Sequence, residues 1–109
     1  MNIPGAGQRS MGDIAPKLAE LTDTVLFGDI WERPGLAARE RSLITLAALI
    51  ATYRLEQLPF HFERALANGI SRAELVELIT HLAFYSGWPT AASALSALRP
   101  VLAATHPTE

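Results

Sequence analysis

The fold is decided by residues 71–89, which read SRAELVELITHLAFYSGWP. Ser71 followed three residues later by Glu74 is the capping-box pattern that starts a helix. Apolar residues then recur at helical spacing and predict its buried face: Leu75, Leu78, Ile79 and Leu82. Gly87 ends this helix and Pro89 begins the next. The stretch therefore predicts two consecutive helices joined by a short corner.

The rest of the chain also reads as helices joined by short turns. We expect a first helix from a cap at Asp13 to Gly28, with an apolar face of Ile14, Leu18, Leu21 and Val25. A second helix over residues 37–53 is apolar nearly all round. A third runs from Pro59 and ends at Asn68-Gly69, where the glycine is suited to a left-handed cap. The last helix reaches about residue 104. No segment alternates with period two, so we expect an all-α domain of about five helices.

Three regions follow from this pattern. Residues 1–12 are rich in small and turn-forming side chains, which predicts a flexible N-terminal arm. Residues 13–104 form the helical domain, and residues 105–109 form a C-terminal tail.

Composition favours a protein that assembles with copies of itself. Half of the 109 residues are hydrophobic and 18% are charged, below the roughly 25% of ordinary soluble domains. A single small domain buries a limited share of its surface, so part of this apolar surface should lie between subunits. We expect the interface to include part of residues 43–51 and the aromatic corner, residues 84–89.

Composition also excludes several classes of function. The chain has no cysteine, which excludes disulfides, thiolate catalysis and cysteine-bound zinc. A net charge of −2 provides no basic surface for nucleic acid, and residues 43–51 are too few to span a membrane. Residues 1–13 show neither an apolar signal core nor a basic start, so we expect a cytoplasmic protein. The three histidines do not form a compact ligand pattern, which argues against a metal site.

A polar stripe lies along the helix that starts at Ser71. Its members are separated by three or four residues: Glu74, Glu77, His81 and Tyr85. Glu77 one turn before His81 would orient the imidazole and favour its protonated form, which suits a general acid or an oxyanion donor. The alternative is a solvated helix face with one ordinary side-chain pair.

His61 is a second candidate. It lies in the first turn of its helix between Phe60 and Phe62. The helix dipole disfavours a charged imidazole there, so His61 is suited to act as a neutral acceptor or base. The alternative is a half-buried histidine that serves the structure.

Arg41 stands at the edge of the apolar second helix, two residues after Arg39. Its guanidinium is suited to hold a substrate carboxylate. An equally good interpretation is a buried salt bridge to Glu40, Glu74 or Glu77. Trp88 and Trp31 suit core or interface anchors as well as ligand platforms.

Three blocks together resemble the carboxymuconolactone decarboxylase family: residues 39–43, 58–61 and 80–89. The family shares its fold with the alkylhydroperoxidase D-like proteins, whose redox members carry a Cys-x-x-Cys pair. The corresponding positions here look like Leu58 and His61, so the resemblance is to the thiol-free branch, without peroxidase chemistry. Family members assemble as rings, either trimers or hexamers.

The resemblance implies a cofactor-independent decarboxylase of aromatic catabolism, acting on a small carboxylated lactone such as γ-carboxymuconolactone. It assigns Arg41 to carboxylate binding and His61 to proton transfer or carbonyl polarisation. The supporting residues are Glu77, which orients His81, the donors His81 and Tyr85, and the substrate-contacting Phe60 and Trp88. The alternatives are another cofactor-free lyase, isomerase or hydrolase-like enzyme for a small carbonyl acid, or a non-catalytic oligomeric binding protein.

Overall fold

A computed structural model describes residues 5–105. These residues form α-helices and no strand, which confirms the all-α prediction. The helices are α1 (Ala6–Met11), α2 (Pro16–Leu21), α3 (Ala38–Ala51), α4 (Leu58–Ala67), α5 (Arg72–Ser86) and α6 (Trp88–Thr105). Within the described range, none of them is both long and apolar enough to cross a membrane. Residues 1–4 of the predicted arm and 106–109 of the predicted tail lie outside the described residues.

The chain divides into two compact units, Met1–Ala38 and Arg39–Glu109. In the first unit, α1 packs against α2. The backbone amides of Gly7 and Gln8 donate to the carboxylate of Asp23, at 2.6 and 3.1 Å. A Cβ atom on Gly7 would lie 2.7 Å from the carbonyl oxygen of Ala19, so only glycine permits this close approach.

Helix α1 is a correction, because the first helix predicted from the sequence began at residue 13. The sequence places no capping side chain beside Ala6, and the carboxylate that serves α1 comes from Asp23, 15 to 16 residues later. The cap predicted at Asp13 is also wrong, because α2 begins at Pro16 and its N-cap, Ala15, offers no side-chain hydrogen bond. The extents of the predicted arm, domain and tail as functional regions stay predictions.

The second half of the predicted first helix is a π-helical turn, Thr22–Leu26. The hydroxyls of Thr22 and Thr24 donate to backbone carbonyls four residues earlier, each at 2.8 Å. The apolar face predicted for this helix is exposed, with Ile14 86% and Leu18 55% accessible. Buried apolar contact in this unit comes instead from Trp31, whose ring centroid lies 6.2 Å from that of Phe27.

The second unit contains α3 to α6 around one apolar core. Its central side chains come from all four helices and include Leu46, Ile50, Phe62, Leu75, Ile79 and Leu98. Helix α5 begins with the predicted capping box, since Ser71 and Glu74 each accept from the other's backbone amide. Helix α4 ends at a left-handed Gly69, φ 94°, as its sequence predicts.

Helix α3 buries one face only. The side chains of Ser42, Leu46 and Ile50 are buried within the second unit, whereas Ile44 is 55% exposed. A helix that is apolar nearly all round therefore leaves part of its apolar surface outside the core, beside α5.

Candidate functional site

An open groove of about 490 Å³ runs between α3 and α5. Its apolar wall is formed by Leu43, Ile44 and Ala47 of α3 together with Leu78 and Leu82 of α5. Its polar side chains are Glu74, Glu77 and His81, three members of the stripe predicted on α5. This α3–α5 groove thus combines an apolar wall with two carboxylates and an imidazole, and an apolar wall with a few polar groups is the usual make-up of a small-molecule site.

Tyr85, the fourth member of the stripe, stacks on His81, with ring centroids 5.0 Å apart and planes 28° from parallel. Both side chains are exposed. Within residues 5–105, no hydrogen bond or ion pair joins Glu77 to His81. The orienting role of Glu77 therefore stays a prediction, whereas the Tyr85 ring is a neighbour that limits the positions of the imidazole.

Glu74 has a structural role at one end of the groove. Its carboxylate accepts a hydrogen bond from the backbone amide of Ser71, at 2.9 Å, and another from the guanidinium of Arg39. These bonds hold the pKa of Glu74 below its usual value, and the amide of Ser71 contributes most. The carboxylate is therefore committed to joining α3 and α5.

The arginine that binds Glu74 is Arg39. The sequence offers Glu74 as one of three glutamates that could form a salt bridge with Arg41. Residues two positions apart on a helix point to nearly opposite sides, so only one of the two arginines can face α5 at this level. Arg41 is half-buried on α3 and is not among the residues that line the groove. Its role as a carboxylate clamp stays a prediction.

His61 lies in a separate cluster in the first turn of α4. Its ring meets Phe60 edge to face, with centroids 5.0 Å apart. The guanidinium of Arg64, which is 1% exposed, lies over the same phenyl ring at 5.7 Å from its centroid. Three neighbouring side chains of one helix therefore place a buried cation close to an imidazole.

The pKa of His61 is lowered to about 4, first by burial and second by the charge of Arg64. The imidazole is therefore neutral near pH 7, as predicted from its place in the helix. The physical cause differs from the helix dipole invoked for that prediction. Arg64 was missed by sequence analysis, although its spacing of three residues from His61 was a signal that the two could meet.

The aromatic corner lies at the junction of α5 and α6. Trp88 is 62% exposed and meets Phe84 edge to face, with centroids 5.0 Å apart. Both rings line a hollow of about 210 Å³ between α5 and α6, and Trp88 does not line the α3–α5 groove. The predicted site residues thus occupy distinct places: the groove, the start of α4 and this corner.

Metal-binding side chains are not clustered in the described part of the chain. Residues 5–105 bring no three His, Asp or Glu side chains together in a way that could hold an ion. The expectation that this protein works without a metal or cofactor stays a prediction.

Residues 16–100 match the family model described as the carboxymuconolactone decarboxylase family. The 4-carboxymuconolactone decarboxylase of Acinetobacter baylyi is 41% identical over 69 residues, 63% of this chain and 52% of that protein. The nitrosuccinic acid decarboxylase npaB of Metarhizium robertsii is 36% identical over 76 residues, 70% of this chain and 53% of that protein.

A third relative is an uncharacterized 15.0 kDa protein from the nqo9-nqo10 intergenic region of Paracoccus denitrificans. It is 30% identical over 97 residues, 87% of this chain and 72% of that protein. The chain therefore spans about half the length of the two relatives that are named as decarboxylases.

Proposed function

The chain belongs to the carboxymuconolactone decarboxylase family, and we propose that it is a cofactor-independent decarboxylase of a small carboxylated lactone like γ-carboxymuconolactone. The observation that carries this proposal is that two relatives whose names differ in substrate are both decarboxylases. Loss of carbon dioxide from a small acid is what those two names share.

The reaction needs three kinds of help from a protein. The bond from the carboxylate carbon to the ring breaks, and carbon dioxide leaves. The electron pair of that bond moves through the ring alkene into the lactone carbonyl, which becomes an enolate, and a ring carbon then takes up a proton. A binder for the carboxylate, a hydrogen-bond donor for the oxyanion and a proton source are therefore required.

The residues supply these functions in the following way. Arg41 holds the carboxylate. His61, with its pKa near 4, stays neutral during the reaction and donates its N–H to the developing oxyanion. In the α3–α5 groove, His81 is the candidate proton source, with Glu77 one turn before it and Tyr85 stacked upon it. Phe60 and Trp88 provide apolar contact to the substrate. Because these side chains lie in distinct places on a single chain, they act on one substrate only at a boundary between subunits that brings them together.

A second substrate class is favoured by the relative from Metarhizium robertsii, whose name specifies nitrosuccinic acid. A nitro group accepts the electron pair left by carbon dioxide much as a lactone carbonyl does. The same protein functions, a carboxylate binder and an oxyanion donor, would then serve a small nitro acid.

The test is to incubate the purified protein with a panel of lactone, keto and nitro acids, and to follow carbon dioxide and product mass. Decarboxylation predicts one carbon dioxide per substrate consumed and a product lighter by that mass. A product of unchanged mass would identify an isomerase, and one heavier by a water would identify a hydrolase. Binding without conversion would identify a non-catalytic protein, and each of these three results would overturn the proposal.

Assembly and location complete the proposal: a homo-oligomer, trimer or hexamer, in the cytoplasm. Support for assembly comes from large apolar side chains that the single chain leaves outside its core, with Ile44 55%, Phe84 72% and Trp88 62% exposed. A second copy that covers these side chains would also close the α3–α5 groove or the α5–α6 hollow from the open side.

A further inference from the structure

Helix α4 carries a buried arginine, Arg64, that the proposed catalytic roles do not use. Arg64 is 1% exposed although it bears a permanent charge, and its guanidinium lies over the ring of Phe60. The same ring meets His61 edge to face. Arginine is seldom buried to this degree, so a role for this cation beyond packing is expected.

We propose that Arg64 is a positioning residue for His61, whose buried guanidinium keeps the imidazole neutral so that it acts as a hydrogen-bonding group and never as an imidazolium acid. The catalytic meaning of this inference rests on the proposed function. Its electrostatic part does not, because it concerns two side chains of one helix.

The physical reason is the cost of two neighbouring cations away from water. Arg64 and His61 are three residues apart on α4, hence on the same side of the helix. Arginine does not give up its proton in proteins, so the imidazole is the group that loses its charge. Phe60 keeps the geometry fixed, since its π-face attracts the guanidinium while its contact with His61 limits the rotation of the imidazole.

Other charged groups near α4 are less able to influence the charge of the His61 imidazole. Helix α4 packs against α6 and against the 3-10 turn Leu55–Gln57. The charged residues of these elements, Glu63 on α4, Glu56 on the turn and Arg99 on α6, are all exposed, so water screens them. Burial remains the larger cause of the lowered pKa of His61, and the charge of Arg64 is the second.

The test is an NMR titration of the histidine rings in the wild-type protein, Arg64→Met and Arg64→Lys, with His61→Gln to assign the resonance. In the wild type, we expect His61 to titrate near pH 4. Arg64→Met should raise this midpoint by roughly 1 pH unit, short of the ordinary value because burial persists. Arg64→Lys keeps the charge and should leave the midpoint low. Arg54→Met, which removes an exposed cation, is the matched control and should change nothing.

The proposal is overturned if Arg64→Met leaves the midpoint of His61 unchanged, or if the midpoint moves equally in Arg54→Met. Should Arg64→Met fail to fold, Arg64→Gln provides a second neutral side chain. A wild-type His61 that titrates at its ordinary value also overturns the proposal and requires no variant.

Kinetics then separate this inference from the proposed function. On an accepted substrate, the acid limb of the turnover profile should move in Arg64→Met in the same direction as the NMR midpoint. If no substrate is decarboxylated while the midpoint moves as expected, the function fails and the electrostatic role of Arg64 stands. If turnover is found but the midpoint does not move, the proposed function stands and the electrostatic role of Arg64 fails.

Discussion

Arg39, in the first turn of α3, donates a hydrogen bond to the carboxylate of Glu74, in the first turn of α5. The same carboxylate accepts the backbone amide of Ser71 and so caps α5. One side chain thus starts a helix and ties it to the opposite wall of the α3–α5 groove. Both hydrogen bonds are strongest when this carboxylate is ionised.

Glu74→Gln should lose less free energy of unfolding than the wild type as the pH falls. The pKa of Glu74 is lowered in the folded protein, so its contribution is complete above the ordinary glutamate pKa and disappears as the pH falls through the lowered value. Urea unfolding at pH 6 and pH 3 measures this difference. Glu77→Gln is the matched control, because Glu77 is exposed and makes no hydrogen bond or ion pair within residues 5–105. Identical acid sensitivity of the two variants would contradict the prediction.

His61 should make the folded state less stable as the pH falls from about 6.5 to about 4. In this window the unfolded chain takes up a proton on His61 and the folded protein does not, so stability rises with pH. After allowance for solvent screening, the effect should reach about 2 kcal/mol. His61→Gln should lack this component. The free energy of unfolding of the wild type and of His61→Gln is measured at pH 7 and at pH 4, and the difference between the two proteins is compared at the two pH values. A constant difference would show that His61 is not responsible.

His61→Ala should mainly lower the turnover number on the true substrate, and Arg41→Ala should mainly raise the Michaelis constant. Loss of a proton-transfer group or an oxyanion donor typically costs a factor of roughly 10² to 10⁴. Steady-state kinetics of both variants check this, beside thermal stability and light scattering for each.

If Arg41 and His61 serve only the structure of the protein, a different result is expected for the same two variants. Arg41→Ala would then lower the melting temperature or break the oligomer, and His61→Ala would leave turnover nearly intact. A folded, oligomeric His61→Ala protein with full turnover would remove His61 from the mechanism, and His81 with Glu77 would become the next candidate for the oxyanion donor as well as the proton source.

The protein should form a stable homo-oligomer at micromolar concentration. Ile44→Asp and Trp88→Ser should each weaken assembly, because they place a polar or charged group where apolar surface is exposed on the single chain. Light scattering measures the mass of each variant, and Gln57→Glu, which adds a charge at an exposed polar position, is the control. A monomeric wild type would refute the prediction.

Activity should survive both chelators and thiol-blocking reagents. The chain has no cysteine for such reagents to modify. Turnover measured before and after treatment with a chelator tests the second part. Loss of activity that one added metal restores would show that the histidines were misinterpreted.

The start of α5 and the end of α4 were predictable because the interactions that define them are local. Ser71 and Glu74 are three residues apart, and the bond that joins them needs no other part of the chain. The left-handed turn at Gly69 likewise requires only a residue without a side chain after the last turn of a helix. Membership in an all-α family followed from such local patterns together with the three sequence blocks.

Tertiary structure alone decided the features that depend on which faces meet. Asp23, in the π-helical turn that follows α2, accepts backbone amides of α1, and Arg39 rather than Arg41 binds Glu74, because packing selects one side of each helix. The sequence by itself determined the four helices of the second unit, the absence of thiol chemistry and the presence of an imidazole at the start of α4. That this imidazole is neutral because of burial and Arg64 was decided by the fold, since desolvation and charge proximity exist only once the chain has packed.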